Sequence, residues 1–235
     1  MAGTRSGAAS KSRLNPSSDL EFARDPNFFV LGLDEVGVGC LAGPVVAACY
    51  AYRLSDFVWP KGAPKVGDSK RLSEAQRLEA RIALESAPGV EWAIGEASPN
   101  EIDTINILRA SQLAMERAFR SVAGRLGARG FRGENCVVLV DGNRLPPFLK
   151  VLPLASVQTL VKGDARSFAI ASASILAKEC RDTFMVEAAK RFPAYGWESN
   201  VGYPTPTHKA AIALSGFTEL HRRSFNAGLD VSEAP

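Results

Sequence analysis

Four acidic residues stand where short apolar, β-branched segments of the sequence end. Asp34 and Glu35 follow the segment FFVLGL, Asp141 follows VVLV, and Asp164 follows TLVKG. Ligand sites gather at strand ends of α/β sheets, and carboxylate oxygens are the hard ligands that Mg²⁺ and Mn²⁺ prefer. Two such ions shared by these side chains can activate a water molecule and stabilise the leaving oxygen of a phosphodiester. The pattern therefore favours metal-dependent phosphodiester hydrolysis.

Each of these acids also has an ordinary structural explanation. An aspartate followed by glycine, as at Asp141, often only makes a turn, and an Asp-Glu pair can simply end a strand. Neighbouring residues of a regular strand point to opposite faces of the sheet. We therefore expect Asp34 and Glu35 to join one site only if the backbone bends there, and Gly37 and Gly39 allow such a bend.

The composition indicates one α/β domain with tails. The chain has 235 residues, of which 46% are hydrophobic, and nothing marks a linker between two halves. We predict a disordered tail over residues 1–27, one catalytic domain over 28–225 and a C-terminal tail over 226–235. The net charge of +3 is too small to indicate nucleic-acid binding by itself.

No segment of the sequence suggests secretion or a membrane span. The N-terminal residues lack the apolar segment of a secretory signal, and the longest apolar runs are shorter than the roughly 18 residues that a span needs. The four cysteines form no CxxC pair, which is typical of buried thiols in a reducing compartment. We predict a cytoplasmic monomer without membrane contact.

Strands and helices are expected to alternate around the acids. Hydrophobic patterning predicts strands over 28–36, 45–52, 90–97, 136–140 and 157–161. Capping and periodicity predict helices over 73–86, from Pro99 to about Val122, within 165–192, and from Thr205 or Thr207 to Leu214. The strand ends in this arrangement place the four acids.

Six motifs, in order and spacing, resemble those of bacterial type 2 ribonuclease H, the ribonuclease HII family. They are LDEVGVGCLAGPVVAA, GDSKRLS, VLVDG, VKGDARSFAIASASILAKECRD, GYPTPTH and HRRSF, and together they reach from about Phe28 to Phe225. The resemblance implies an RNase H-like α/β fold, in which helices flank a mixed β-sheet, with a helical C-terminal part.

The resemblance also implies an activity. Such an enzyme is an endonuclease that hydrolyses the RNA strand of RNA/DNA hybrids and nicks 5′ to ribonucleotides embedded in duplex DNA. It uses two ions, Mg²⁺ or Mn²⁺, and leaves 5′-phosphate and 3′-hydroxyl ends. RNA/DNA hybrid and ribonucleotide-containing duplex DNA are thus the implied partners, and excision of misincorporated ribonucleotides is the implied role.

The motifs also assign roles to residues. Asp34, Glu35, Asp141 and Asp164 match the catalytic metal ligands, and Tyr203 matches the tyrosine that stacks on the deoxyribose at an RNA-to-DNA junction. The other residues implied in substrate binding lie in the same motifs: Gly37, Val38, Gly39, Ser69, Lys70 and Lys178.

Further basic residues and two histidines lie in these motifs. Candidates for phosphate contacts, with solvated surface charge as the alternative for each, are Lys162, Arg181, Arg222 and Arg223. For His208 and His221 we predict structural hydrogen bonding, the alternative being a proton shuttle.

One position departs from the family pattern. The family usually has Gly-Arg-Gly or Gly-Lys-Gly where this chain has Gly37-Val38-Gly39. The backbone amides can still reach a ribose 2′-hydroxyl, but a charge-assisted phosphate contact is lost. This departure raises, as an alternative, a catalytically weakened hybrid-binding protein of the same fold, which the presence of all four acids disfavours.

Two hypotheses outside the type 2 family fit parts of the sequence. Type 3 enzymes share the core but have a folded N-terminal extension, for which about 27 residues are too few. A metal-dependent phosphatase or an unrelated nucleotide-binding protein would rest on the acid and glycine pattern alone.

Overall fold

A mixed five-stranded sheet forms the centre of the computed structural model, which describes residues 14–225. In chain order the strands are β1 Phe29–Val36, β2 Val45–Arg53, β3 Val90–Ala97, β4 Cys136–Asp141 and β5 Ser156–Leu160. Their order across the sheet is β3-β2-β1-β4-β5. β1, β2 and β3 pair antiparallel, whereas β4 runs parallel to both β1 and β5. The predicted α/β fold with a mixed sheet is confirmed.

Seven α-helices surround the sheet within the described residues. They are α1 Leu20–Ala23, α2 Glu74–Ser86, α3 Pro99–Ile105, α4 Ile107–Leu126, α5 Phe168–Arg191, α6 Trp197–Asn200 and α7 Pro206–Ser215. The predicted capping box forms at the start of α2, a second one forms at the start of α3, and Thr205 caps α7. Between residues 14 and 225 no helix combines the length and the apolar character that crossing a membrane requires.

The two faces of the sheet pack against different helices because side chains alternate along a strand. Val30 of β1 belongs to the core on the α5 side, whereas Leu31 and Leu33 belong to the core on the α4 side. α5 approaches β1 very closely at Gly32, where a Cβ atom would lie 2.2 Å from the carbonyl carbon of Ala169. This contact requires a glycine and fixes α5 on the sheet. A third apolar cluster joins the end of α5 to α6 and α7.

The helix predicted from Pro99 to about Val122 is two helices. Asn106 separates α3 from α4 with φ of +66°. Asparagine adopts positive φ more readily than most residues, and its side chain accepts a hydrogen bond from the amide of Arg109 at 3.1 Å. Asn106 therefore caps α4 and starts it in a new direction, which a purely periodic pattern does not reveal.

The prediction of a disordered tail over residues 1–27 is wrong for residues 14–27. Residues 16–23 form a 3₁₀ turn followed by α1. Phe22 is buried in the core beside α5, and Asp19 is fully buried at the start of that helix. The Ser-rich composition hid these two anchoring side chains. Residues 1–13 and the C-terminal tail predicted over 226–235 lie outside the described residues.

Asp19 caps α5, the helix that lies closest to β1. Its carboxylate accepts hydrogen bonds from the amides of Phe168 at 3.0 Å and Ala169 at 2.9 Å, and from the hydroxyl of Tyr52. The two amides are backbone donors that the first turn of a helix leaves unsatisfied.

Asp19→Ala should lower the free energy of unfolding by roughly 2 kcal/mol, because it removes a helix cap and leaves buried donors unpaired. Urea denaturation measures this change. The control is Glu21→Ala, an exposed position in the same segment, which should change stability by less than about 0.5 kcal/mol. Equal effects of the two substitutions would contradict the capping role.

Candidate active site

A cavity of about 670 Å³ opens beside the carboxyl ends of β1 and β4. All four predicted acids line it. Asp34 and Glu35 lie on β1, Asp141 is the last residue of β4, and Asp164 lies on a 3₁₀ turn between β5 and α5. The sequence positions of these acids are far apart, and the sheet brings them to one place.

The turn that bears Asp164 is tied to the end of β4 by a hydrogen bond. The amide of Gly163 donates to Oδ1 of Asp141 at 2.7 Å. A Cβ atom at Gly163 would lie 2.6 Å from Cδ1 of Ile170 and 3.1 Å from the same Asp141 oxygen. The glycine of the KGD motif thus allows the two aspartates to approach each other.

Asp34 and Glu35 meet without the backbone bend that we expected. β1 stays in register with β2 as far as Val36, which lies opposite Val46. On the other side, the last pair between β1 and β4 is Leu33 with Val140. Beyond this pair, one edge of β1 is free, so side chains from both of its faces can reach the space at the strand ends.

The two faces of β1 supply different neighbours to the pair. Asp34 is on the α5 side, where the nearby Ser174 hydroxyl partly offsets the rise in its pKa. Glu35 is on the α4 side, where the nearby Ser111 hydroxyl partly offsets the rise in its pKa. Both carboxylates line the same cavity although they point to opposite faces of the sheet.

Burial and mutual repulsion dominate the electrostatics of the acids. Burial, followed by the charges of Glu35 and Asp141, raises the pKa of Asp34 well above its ordinary value. Burial and Asp141 raise the pKa of Glu35 to about 7. Burial, followed by Asp68 and Asp141, raises the pKa of Asp164. No salt bridge within residues 14–225 includes any of these four acids, so their charge is not neutralised by a contact.

The four carboxylates have the chemistry that a divalent cation requires, but they are not yet spaced to bind one. No three histidine, cysteine or acidic side chains in residues 14–225 stand close enough together to hold an ion as they are placed. However, four hard carboxylates share one cavity, and a cation there would relieve both the burial of charge and the mutual repulsion that raise the pKa values of Asp34 and Glu35. Asp34, Glu35, Asp141 and Asp164 are the residues that could hold it.

Every residue predicted to bind substrate also lines this cavity. These residues are Gly37, Val38, Gly39, Ser69, Lys70, Lys178 and Tyr203. Lys178 forms an ion pair with Asp182 at 2.7 Å. Lys70 forms none within the described residues, and its charge lowers the pKa values of Glu35 and Asp164. All seven residues thus lie at the cavity, and their roles in substrate binding stay predictions.

The two glycines of the Gly-Val-Gly segment differ in their surroundings. Gly37 has φ of +88°, and a Cβ atom there would lie 2.2 Å from Nε of Arg181. Gly39 has open space where its Cβ would be, and the Val38 side chain is 40% exposed. Gly37 is therefore required by the fold itself, whereas Gly39 leaves room for a ligand near the backbone.

Arg181 and Arg222 hold the glycine segment from behind. Both are buried, with at most 1% of their surface exposed. The Arg181 guanidinium donates to the carbonyl oxygens of Ala42, Pro44 and Val201 at 2.8–3.0 Å. The Arg222 guanidinium donates to those of Val38 and Gly43 at 3.1 and 3.0 Å.

These contacts correct the prediction for both arginines. Neither is a solvated surface charge, and neither lines the cavity where a phosphate would lie. They are structural residues because the carbonyl groups of the segment from Val38 to Pro44 would otherwise lack donors. Lys162 and Arg223, the other two candidates, are exposed and do not line this cavity.

A buried histidine pair supports Tyr203. His208 accepts a hydrogen bond from Nε1 of Trp197 at 3.0 Å, which leaves its Nδ1 to donate to the carbonyl of Tyr203 at 2.9 Å. His221 accepts from the amide of Thr218, so its Nε2 donates to Nε2 of His208 at 3.2 Å. Burial lowers the pKa values of both histidines. This network agrees with the predicted structural role.

Ser111 is a neighbour of the acids that the sequence reasoning missed. It lies on the buried stripe of α4 between Ala110 and Ala114, close enough to Glu35 to lower the pKa of that carboxyl. A hydroxyl on an otherwise apolar helix face was the available signal, because a buried polar group needs a partner.

The pH dependence of stability tests the histidine network. Burial, followed by the charge of His208, lowers the pKa of His221 to about 4. The unfolded chain protonates this group near its ordinary pKa of about 6.5. The contribution of His221 to stability is therefore fully present above about pH 6.5 and is lost as the pH falls toward 4, by about 3 kcal/mol.

Urea denaturation of the wild type and of His221→Asn at pH 7 and pH 4.5 separates this loss from that of other groups. We expect the variant to be less stable at pH 7 but to lose less stability on acidification. A parallel loss in the two proteins would rule out the assigned titration.

Sequence comparison decides which family this site belongs to. A family model described as Ribonuclease HII matches residues 31–227. The ribonuclease HII of Paracoccus denitrificans is 51% identical over 212 residues, which cover 89% of this chain and 91% of that protein. The chain belongs to the ribonuclease HII family. It is therefore a ribonuclease H, and this family acts on RNA/DNA hybrids, as the motifs predicted.

Solved structures agree with this family at the level of the fold. The crystal structure of ribonuclease H2 from Pyrococcus horikoshii matches with a TM-score of 0.62 at 23% identity, over 85% of this chain and 94% of that chain. Bst-RNase HIII in complex with Mn²⁺ matches with a TM-score of 0.64 at 16% identity, over 86% of this chain and 68% of that chain. The predicted RNase H-like fold is thus confirmed.

Proposed function

We propose that this member of the ribonuclease HII family hydrolyses the RNA strand of RNA/DNA hybrids and nicks 5′ to ribonucleotides embedded in duplex DNA by a two-metal mechanism. The observation that carries the proposal is the set of four acids in one cavity, without a neutralising contact, beside the open backbone of the Gly-Val-Gly segment. The products would be a 3′-hydroxyl and a 5′-phosphate.

Two Mg²⁺ or Mn²⁺ ions would be held by Asp34, Glu35, Asp141 and Asp164. When bound, such ions make a water molecule more acidic and stabilise negative charge on the leaving oxygen. The structural neighbour Bst-RNase HIII was crystallised with Mn²⁺, which supports this class of cofactor. The hydroxyls of Ser174 and Ser111 would orient Asp34 and Glu35 from opposite faces of β1.

The remaining residues of the cavity would bind and orient the strand. Lys70 has no ion pair within the described residues and lies close enough to the acids to affect their pKa values, so it can contact a phosphate beside the cleaved bond. The space at Gly39 would admit a ribose near the backbone amides. The half-buried Tyr203 ring would stack on the following deoxyribose, with its backbone fixed by His208.

The second candidate function is a catalytically weakened protein that still binds hybrid, and Val38 is the residue that raises it. Its exposed apolar side chain lines the cavity where the family usually has an arginine or lysine. This change removes a cation and leaves the acids intact, so it bears on recognition of the junction more than on hydrolysis.

Cleavage of three labelled substrates distinguishes the two candidates. The substrates are duplex DNA with one ribonucleotide, duplex DNA with four consecutive ribonucleotides, and a full RNA/DNA hybrid, each incubated with Mg²⁺, Mn²⁺ or EDTA. The proposal predicts cleavage of all three with either metal and none with EDTA. Binding without cleavage in every metal would refute it, and cleavage of only the longer RNA tracts would place the defect in junction recognition.

Asp141→Asn should retain the fold and reduce kcat by at least about 100-fold, because it weakens a metal ligand and keeps an oxygen that can accept from the Gly163 amide. Circular dichroism checks the fold, and cleavage of the full hybrid in Mg²⁺ gives kcat. The control is Asp56→Asn, a surface aspartate outside the cavity, which should keep normal kcat. Full activity of Asp141→Asn would show that Asp141 is not a metal ligand.

Val38→Arg should lower the dissociation constant for duplex DNA with one ribonucleotide about tenfold, since one charge-assisted bond contributes about 1.5–3 kcal/mol. The exposed side chain allows this substitution without disturbing the carbonyl contact to Arg222. Binding is measured in EDTA at fixed salt. Val38→Leu controls for added length without charge, and equal affinity of the two variants would reject the lost contact.

A further inference from the structure

A second, smaller cavity of about 110 Å³ lies on the α4 side of the acids. Glu35 and Asp141 line both this cavity and the main one. The Gly-Val-Gly segment, Lys70 and Tyr203 line only the main cavity. These two carboxylates therefore separate the main cavity from the second cavity. A nucleic-acid strand that is cleaved beside them can extend into both cavities.

Three polar side chains line the second cavity and have no role in the mechanism described above. Gln112 of α4 lines it together with Asn143 and Arg144, which follow β4. Asn143 and Arg144 are exposed. Within residues 14–225 none of these three side chains forms a hydrogen bond or an ion pair. One guanidinium and two amides are thus available as donors next to the acids.

A groove on another side of the main cavity is unsuited to a polyanion. A groove of about 370 Å³ continues past Arg77 and Lys178 along α5. Its two basic side chains are already paired, Arg77 with Glu179 at 2.8 Å and Lys178 with Asp182 at 2.7 Å. Three further acids line it: Glu74, Glu187 and Glu198. The field of this acidic groove repels a phosphate backbone, so the second cavity suits the strand better than this groove does.

We propose that Gln112, Asn143 and Arg144 form a phosphate-binding subsite for the nucleic-acid strand, on the side of the cleaved bond opposite the Gly-Val-Gly segment. The planar guanidinium of Arg144 matches a phosphate with two parallel hydrogen bonds. The amides of Gln112 and Asn143 add donors to phosphate or sugar oxygens. The subsite rests on the proposed function, because it needs a strand that continues past the acids.

The first test removes the cation of the subsite. Arg144→Ala should raise the dissociation constant for an RNA/DNA hybrid in EDTA about fivefold to tenfold at about 0.1 M salt, since one charge-assisted contact is lost. The slope of the logarithm of the binding constant against that of salt concentration should decrease by about 0.9. The exposed, unbonded side chain makes a folding defect from this change unexpected.

The matched control is Lys150→Ala. Lys150 is an exposed cation on the same connection between β4 and β5, and it lines neither cavity. Lys150→Ala and Arg144→Ala each lower the net charge of the protein by one. Any long-range electrostatic effect on binding is therefore the same in the two variants. Equal changes in affinity and salt slope for Arg144→Ala and Lys150→Ala would overturn the subsite.

The second test locates the contacted phosphate. Hybrids with a single uncharged methylphosphonate at successive positions around the cleavage site are bound to wild type and to Arg144→Ala. We expect one position at which the modification weakens binding by wild type about fivefold but leaves binding by Arg144→Ala unchanged. If each modification weakens binding by wild type and by Arg144→Ala equally, the subsite does not exist.

Cleavage of the unmodified hybrid by wild type is measured in Mg²⁺ alongside these titrations. Absence of cleavage would contradict the proposed function. Cleavage combined with normal binding by Arg144→Ala would overturn the subsite alone. The two failures are therefore distinguishable in one set of proteins.

Discussion

The central constraint in this protein is the burial and mutual repulsion of the carboxylates that the fold gathers at one edge of its sheet. Burial and mutual charge raise the pKa values of Asp34, Glu35 and Asp164, and Asp141 contributes to each of these shifts. Such an arrangement opposes folding unless hydrogen bonds or cations compensate. The structure supplies two nearby hydroxyls, the Gly163 amide and one nearby lysine, and the remaining charge matches a divalent cation. The rest of the fold serves to hold this unfavourable cluster in place.

The support for the cluster comes from elements that lie outside it. Two buried arginines donate to the carbonyl groups of the glycine-containing segment, so most of their buried donors have backbone partners. A histidine pair fixes the backbone of Tyr203, and Asp19 of the N-terminal segment caps α5. Substitutions in these supports are expected to reduce activity by displacing the cavity, although none of the supporting side chains lines it.

Much of the fold and of the candidate site could be predicted from the sequence. Strand positions followed from β-branched runs, and the acids followed from their places at strand ends and from ordered motifs. Other features depend on tertiary contacts that no local pattern encodes. Asp34 and Glu35 share a cavity because β4 stops pairing with β1 at Leu33, and the burial of Arg181 and Arg222 depends on carbonyl groups far away in sequence. Asp19 lies in a Ser-rich segment, where composition indicated disorder, and only its contact with α5 explains its burial.

The most direct test of the account is the free energy of unfolding of wild type and Asp141→Asn, each measured in EDTA and in Mn²⁺. If burial and repulsion of the acids oppose folding, the variant should be at least as stable as wild type in EDTA, because one negative charge is gone. Mn²⁺ at about 100 times its dissociation constant should then stabilise wild type by about 2.7 kcal/mol and the variant by clearly less. A variant that is less stable in EDTA, or equal stabilisation of both proteins by Mn²⁺, would contradict the account.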